Sequence, residues 1–170
     1  MNLIAVREEK KNSSKWVTVK EGNVIKSAVE SANAATYIEI GTANGYSTAW
    51  AVLGMDPGGR VETYDPVDHP KIWDKDIAKR VQYIQGSFKS EGKKYKHPIV
   101  FFIDGDHSQK GLREDFEQVE PLLKPGDVIL FHDLNIEAIQ RFCLRLKGRK
   151  PDWNFVDVET ERLMLIALVR

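Results

Sequence analysis

The chain has 170 residues, with 25 Lys and Arg against 25 Asp and Glu, so its formal net charge is zero. That length builds one domain whose core needs no disulfide or structural metal. The charge balance excludes a global field that would gather nucleic acid or a membrane surface, and a lone cysteine, Cys143, excludes an intramolecular disulfide.

Residues 1–19 are polar and weakly patterned, with Trp16, Val17 and Val19 as the only anchors, and form a candidate lid. The stretch around Arg7, Glu8, Glu9, Lys10 and Lys11 lacks the apolar core of a signal peptide, and no transmembrane-length apolar run follows. A cytoplasmic location is therefore expected. Val24, Ile25, Ala28, Val29 and Ala32 recur at helical spacing and predict a helix over 20–34. A strand over 36–41 runs into a tight turn from Gly41 to Gly45, then a helix over 45–54 that Asp56-Pro57-Gly58-Gly59 ends. Next come a strand at 60–65, a Pro-interrupted loop at 66–71, a helix near 72–80 and a strand at 81–85. Lys93, Lys94, Lys96 and His97 read as a solvated basic loop.

The strand at 98–104 holds a continuous apolar run, Ile-Val-Phe-Phe-Ile, as a central strand covered on both faces should. The following helix, 109–123, carries Leu112, Phe116, Val119, Leu122 and Leu123 on one side. A strand at 127–131 follows a Lys-Pro-Gly-Asp turn. The helix at 135–147 places Cys143 among Ile139, Phe142 and Leu146, as a small core residue. Strands at 153–158 and 162–169 close the chain. The last is apolar enough to occupy a sheet edge and invite pairing with a second copy, a homo-oligomer.

Alternating strands and helices predict an α/β fold, a doubly wound, mostly parallel seven-stranded sheet in one domain. Glu159-Thr160-Glu161 is too short for a parallel crossover, so the C-terminal pair is an antiparallel hairpin. In such sheets ligands bind beyond the C-terminal ends of the strands. Those ends are Glu39 and Gly41, then Asp65, then Gly86-Ser87, then Asp104-Gly105-Asp106-His107, and finally His132-Asp133. One acid after a strand is usually a helix cap; five polar ends on one side form a shared site.

The first turn reads Glu-x-Gly-x-x-x-Gly, not the Gly-x-Gly-x-x-Gly that cradles a pyrophosphate. Its acid repels phosphate and suits a cationic ligand. S-adenosylmethionine (SAM), with its sulfonium and ammonium, is such a ligand. Asp65 lies 24 residues beyond Gly41, near the interval at which an acid reaches a ribose hydroxyl pair.

Three motifs carry a family resemblance: Glu-Ile-Gly-Thr-Ala-Asn-Gly-Tyr-Ser at 39–47, Phe-Ile-Asp-Gly-Asp-His at 102–107, and Leu-Leu-Lys-Pro-Gly-Asp-Val-Ile-Leu-Phe-His-Asp at 122–133. Residues 36–135 resemble the Rossmann-like class I SAM-dependent methyltransferases. Within these they are similar to the small metal-assisted O-methyltransferases of the catechol type and the cephalosporin-hydroxylase and macrolide-sugar type. The resemblance implies that Glu39, Gly41, Thr42, Ala43, Asn44 and Gly45 hold the methionine portion of SAM, with Ser47 near its carboxylate. It implies Asp65 on the ribose, Ser87 and Phe88 bordering the adenine, and Asp104 both beside the cofactor and on a divalent metal such as Mg or Mn. His132 and Asp133 fall on the other two metal positions.

His132 departs from the family, which places an acid there. Three readings stay open: a softer metal, Mg held by Asp104 and Asp133 with extra waters, or no metal and a buried strand-end histidine. His107 stands where catechol-type relatives carry their general-base lysine, and an imidazole can take a proton from a hydroxyl near neutral pH. Its bland alternative is a helix cap or a partner of Asp106. The expected function is O-methylation of a small hydroxylated acceptor, with the loop 66–76 (Pro66, His69, Pro70, Trp73) as a second candidate lid. A non-catalytic SAM-binding module is the competing reading. Methylation of nucleic acid is disfavoured by Asp-Gly-Asp-His at 104–107 and the missing basic stripe. A dinucleotide-dependent dehydrogenase is disfavoured by Glu39.

Overall fold

A computed structural model describes residues 17–170, so the expectations for Trp16 and the segment before it fall outside the described residues. The elements are α1 (Val19–Ser31), β1 (Thr36–Ile40), α2 (Tyr46–Gly54), β2 (Arg60–Asp65), α3 (Lys75–Ala78), β3 (Val81–Gln85), β4 (Ile99–Ile103), α4 (Gln109–Val119), β5 (Val128–Phe131), α5 (Glu137–Arg149), β6 (Asn154–Val158) and β7 (Met164–Leu168). The seven strands form one sheet in the order β3-β2-β1-β4-β5-β7-β6. The first five are mutually parallel, and β7 runs antiparallel to both β5 and β6. This is the doubly wound sheet with its antiparallel hairpin.

The pleat sorts the apolar residues of β4 to two faces. Ile99, Phe101 and Ile103 join the core under α4 and α5, with Leu112, Phe116, Phe142 and Leu146. Val100 and Phe102 join the opposite core under α1 and α2, with Ile25, Val29, Ala49 and Trp50. Every residue of β1 and β4 is buried, which explains why their sequences do not alternate.

Caps set several boundaries. At α1 the Thr18 hydroxyl accepts from the Glu21 N–H while the Glu21 carboxylate accepts from the Thr18 N–H, a complete capping box. Ser108 caps α4, its hydroxyl accepting from the Gly111 N–H at 3.0 Å. The helix expected over 109–123 stops at Val119 and tightens into a 3₁₀ turn, Glu120–Leu122, at Pro121, which has no N–H to continue the ladder. The helix expected near 72–80 is a single turn. Asp74 caps it at Lys75 and Arg80 turns away, its guanidinium donating to the carbonyls of Val52, Met55 and Asp56.

The terminal strand corrects a second expectation. β7 lies inside the sheet between β5 and β6, so β6 is the edge. The hairpin inserts its more apolar strand, which buries Met164, Leu165 and Ala167, and leaves Asn154 and Asp157 outside. None of the described helices is long and apolar enough to cross a membrane.

Phe101 is fully buried in the centre of β4 and touches the ring of Phe88 edge-on. Phe101→Ala is expected to cost about 3–5 kcal/mol of stability in urea unfolding. Leu144→Ala, at a side chain 60% exposed on α5, is expected to stay within about 0.5 kcal/mol of wild type.

Candidate active site

β1 ends against β4, and the turn that follows is shaped by that contact. Gly41 takes a φ of 99°, and a Cβ there would lie 2.1 Å from the Asp104 carbonyl oxygen. Gly45, at φ 78°, would push a Cβ to 2.3 Å from the indole nitrogen of Trp73. Both positions therefore require glycine, for conformation and for space. Between them the Ala43 N–H donates to Asp65 Oδ2 at 2.8 Å, and Asp65 Oδ1 accepts from the Val67 N–H at 2.8 Å. Asp65 thus fixes the turn while facing the same cleft, and its oxygens keep lone pairs for hydroxyl donors.

Trp73 is a buttress rather than a lid. Its indole N–H donates to the Gly45 carbonyl at 2.6 Å and its ring meets Tyr83 edge-on. Asn44 donates to the Pro70 carbonyl at 2.7 Å, and the Ile72 N–H donates to the Asn44 carbonyl at 3.1 Å. The loop after β2 is stapled to the glycine turn by these three bonds. Of its residues named from the sequence, Pro66 lines the cleft, whereas His69, Pro70 and Trp73 do not.

Glu39 also moves relative to expectation. It is fully buried beneath the turn and does not line the cleft. The hydroxyls of Ser47 and Thr48, in the first turn of α2, each donate to one of its oxygens. Burial pushes its carboxyl up to about 8, against the pull of those two hydroxyls, and the charge of Asp104 adds to the rise. Glu39 therefore acts on a ligand through the turn and the helix start that it holds.

A charged cluster occupies the ends of β4 and β5. His107 Nε2 lies 3.3 Å from Asp104 Oδ1 and 3.2 Å from Asp133 Oδ2. Buried His132 places Nδ1 3.1 Å from Asp104 Oδ1 and 3.4 Å from Asp133 Oδ2, and Nε2 3.3 Å from Glu21 Oε1. Glu21, from the capping box of α1, also pairs with Arg162 of the β6–β7 turn at 3.2 Å. Arg162 Nε approaches Asp133 Oδ1 at 3.7 Å.

Burial works to lower His132, but Asp104, Asp133 and Glu21 outweigh it and raise its pKa to about 11. Burial works to raise Glu21, but His132, the Thr18 N–H and Arg162 bring it down to about 2. Asp104 is likewise held below the carboxylate range by its two histidines, and His107 is raised by Asp104.

Two of the three residues expected to ligate a metal, Asp104 and Asp133, stand together with His107. Asp104, His107 and Asp133 offer donor atoms within 4.8 Å of one another. His132 is buried and spans carboxylates on both sides, Asp104 and Asp133 at one ring nitrogen and Glu21 at the other. His107 does not cap α4, since Ser108 does, and its partner is Asp104 rather than Asp106. Asp106 is a structural acid that accepts from the Ser108 N–H at 2.8 Å.

A cleft of about 450 Å³ unites the pieces. Gly41, Thr42, Ala43, Asn44, Gly45 and Ser47 line it, as do Asp65, Ser87, Phe88, Asp104, His107 and Asp133. Val17, an anchor of the candidate N-terminal lid, lines it too, as do Asp115 and Arg162, which were not singled out in the sequence. No motif marks Arg162 or Asp115. The Thr-x-x-Glu pattern at 18–21 signals a helix start but cannot announce that its acid reaches β5.

A family model described as a methyltransferase domain matches residues 38–134. No curated protein matches the chain. Among solved structures, an O-methyltransferase from Bacillus cereus in complex with S-adenosylhomocysteine (SAH) superposes with a TM-score of 0.71 at 22% identity, covering 99% of this chain and 89% of that one. The O-methyltransferase TomG from Streptomyces achromogenes, involved in tomaymycin synthesis and in complex with SAM, gives 0.65 at 18% identity, covering 96% and 85%. An SAH-bound methyltransferase from Podospora anserina gives 0.70 at 13% identity, covering 98% and 85%. At these identities the likeness establishes the shared fold.

The burial of Glu39 has a pH signature. The unfolded chain loses this proton near 4.5 and the folded chain near 8, so the folded state holds one proton more between those values. Its contribution to stability therefore falls as pH climbs through that window. Glu39→Gln removes the fall. The melting temperature of the variant minus that of wild type is expected to increase steadily from about pH 5 to about pH 8; a flat difference would show that Glu39 is not held protonated.

Proposed function

Because the chain belongs to the methyltransferase-domain family, we propose that it uses SAM to methylate a hydroxyl oxygen of a small acceptor. The observation that carries this reading is the joining of two sites in one cleft: the glycine turn of β1 and the Asp104–His107–Asp133 cluster. Convergence of those three residues favours an enzyme over a binding module, because a module needs no base or acid pair beside its ligand. The O-methyltransferase neighbours lend further support to oxygen as the acceptor atom.

SAM supplies an electrophilic methyl on a sulfonium. The turn from Gly41 to Gly45 and Ser47 would hold its methionine portion at the start of α2, and Asp65 would accept from the ribose hydroxyls. Glu39 adds a carboxyl beneath the turn. Its raised pKa leaves it ready to ionise when an ammonium arrives above it.

At the other end of the cleft, His107 is half-exposed and stands ready to receive the proton of an acceptor hydroxyl. Asp104 orients that imidazole through its Nε2. The residues present also fit a divalent cation. Asp104, His107 and Asp133 bring one nitrogen and two oxygens within reach of a single ion, a donor set that suits Mn, Fe or Zn at least as well as Mg. A cation held there would lower the pKa of the acceptor hydroxyl. The nearness of His107 Nε2 to both carboxylates favours a second reading in which it ligates the ion. We assign the protein to the cytoplasm, with no nucleic acid or membrane partner.

SAM or SAH is expected to raise the melting temperature by mass action, and NAD is not; an equal response to NAD would remove the assignment. Asp104→Asn and Asp133→Asn are expected to abolish any response to Mn²⁺ or Mg²⁺ while SAH still binds. If wild type responds to neither ion, the metal-assisted mechanism fails. His107→Gln separates the two roles: a base loses turnover at about 10²–10⁴-fold with ion affinity intact, whereas a ligand loses the ion.

A further inference from the structure

The nucleobase end of the cleft contains an acid that the mechanism leaves unused. Within the SAM-binding reading, the methionine portion lies at the β1 turn and the ribose at Asp65 of β2. Strand order puts β3 next outward, so the base extends to the exit of β3, where Gly86, Ser87 and Phe88 line the cleft. The loop after β3 is docked on α4, since both the N–H and the hydroxyl of Ser90 donate to Gln118 Oε1, at 3.1 and 3.2 Å. Asp115 lies one helical turn before Gln118 and on the same side. It lines the cleft, and Lys89 of that loop is among its charged neighbours. Its carboxylate reaches over the β4 exit, with Oδ2 3.0 Å from the point a Cβ on Gly105 would occupy.

We propose that Asp115 reads the nucleobase, its carboxylate accepting a hydrogen bond from the exocyclic amino group of adenine. The proposal rests on SAM being the ligand. Electrostatics agrees with the geometry. Among the described residues Asp115 forms no ion pair, and its charged neighbours Asp106 and Glu114 are acids, with Lys89 and the Asp106 N–H in partial compensation. Burial and those like charges push its carboxyl up to about 6, so at neutral pH it is mostly an ionised acceptor lacking a strong donor. An amino group supplies a donor there. A carbonyl oxygen in the same place would set lone pair against lone pair, and a site built for a donor rejects such an analogue strongly.

The test compares SAH with S-inosylhomocysteine, in which a carbonyl replaces the adenine amino group, by titration calorimetry on the full chain. Wild type is expected to bind SAH at least about 10-fold more tightly. Asp115→Asn, whose amide can donate to the carbonyl, is expected to bring the two ligands within about three-fold of each other. Equal binding of both ligands by wild type would overturn the proposal. So would an unchanged preference in Asp115→Asn, because a purely structural loss weakens both ligands alike and leaves their ratio intact. The substitution removes repulsion from Asp106 and Glu114 and should fold; if it does not, Asp115→Ser takes its place and is expected to lose the preference likewise, an unchanged preference again overturning the proposal. Wild type that binds neither ligand would instead remove the SAM reading, and this proposal with it.

Discussion

The exit of β1 touches the exit of β4, and the rest of the site depends on that contact. The parallel register sets Ile40 opposite Ile103, and the Asp104 N–H donates to the Ile40 carbonyl at 2.9 Å, so Gly41 falls directly against the Asp104 backbone. With no side chain at Gly41 the two strand ends close up. The glycine turn that follows β1 and the acid that follows β4 then share one cleft. A larger residue would force the strand ends apart and separate the glycine turn from the Asp104–His107–Asp133 cluster.

A second constraint is charge balance at the ends of β4 and β5. Glu21, Asp104 and Asp133 are three acids in a mostly buried volume, and such a group persists only with compensating charge. His132 sits among all three and Arg162 joins two of them. This network ties α1 and the β6–β7 turn to the strand ends, although neither carries a recognisable motif. The histidine at 132 has the effect of placing an organic cation next to the carboxylates, with His107 left at the cleft face beside them. His107, in the loop before α4, is the histidine whose ring nitrogen lies close to both Asp104 and Asp133 at the cleft.

Some of the sequence expectations survived because their physics is local. The run 99–103 is apolar at every position, and only a strand covered on both faces fits that. Glycine at 41 and 45 signals a turn whatever surrounds it. By contrast, the placement of the last hairpin depended on which of two strands pairs with β5, a choice made by burial of Met164, Leu165 and Ala167 together. Trp73 looked like an acceptor contact because an exposed-loop indole is a common ligand platform. Its partner, the Gly45 carbonyl, lies 28 positions away and left no trace in the pattern. Glu39 was read as meeting the ligand because charge alone was visible, whereas the hydroxyls of Ser47 and Thr48 that occupy it come from the next helix.

By itself, the sequence determined the alternation of strands and helices, the antiparallel closing pair and the gathering of polar strand ends along one side of the sheet. Each follows from periodicity, loop length or residue charge, properties carried by neighbouring positions. Only the tertiary structure decided that His107 rather than His132 faces the cleft with Asp104 and Asp133. It alone placed Asp115 and Arg162 at that cleft and Glu21 behind it against His132. Which side chains meet across strand ends depends on rotamer, register and the packing of helices on two faces, and these are settled only when the whole sheet is assembled.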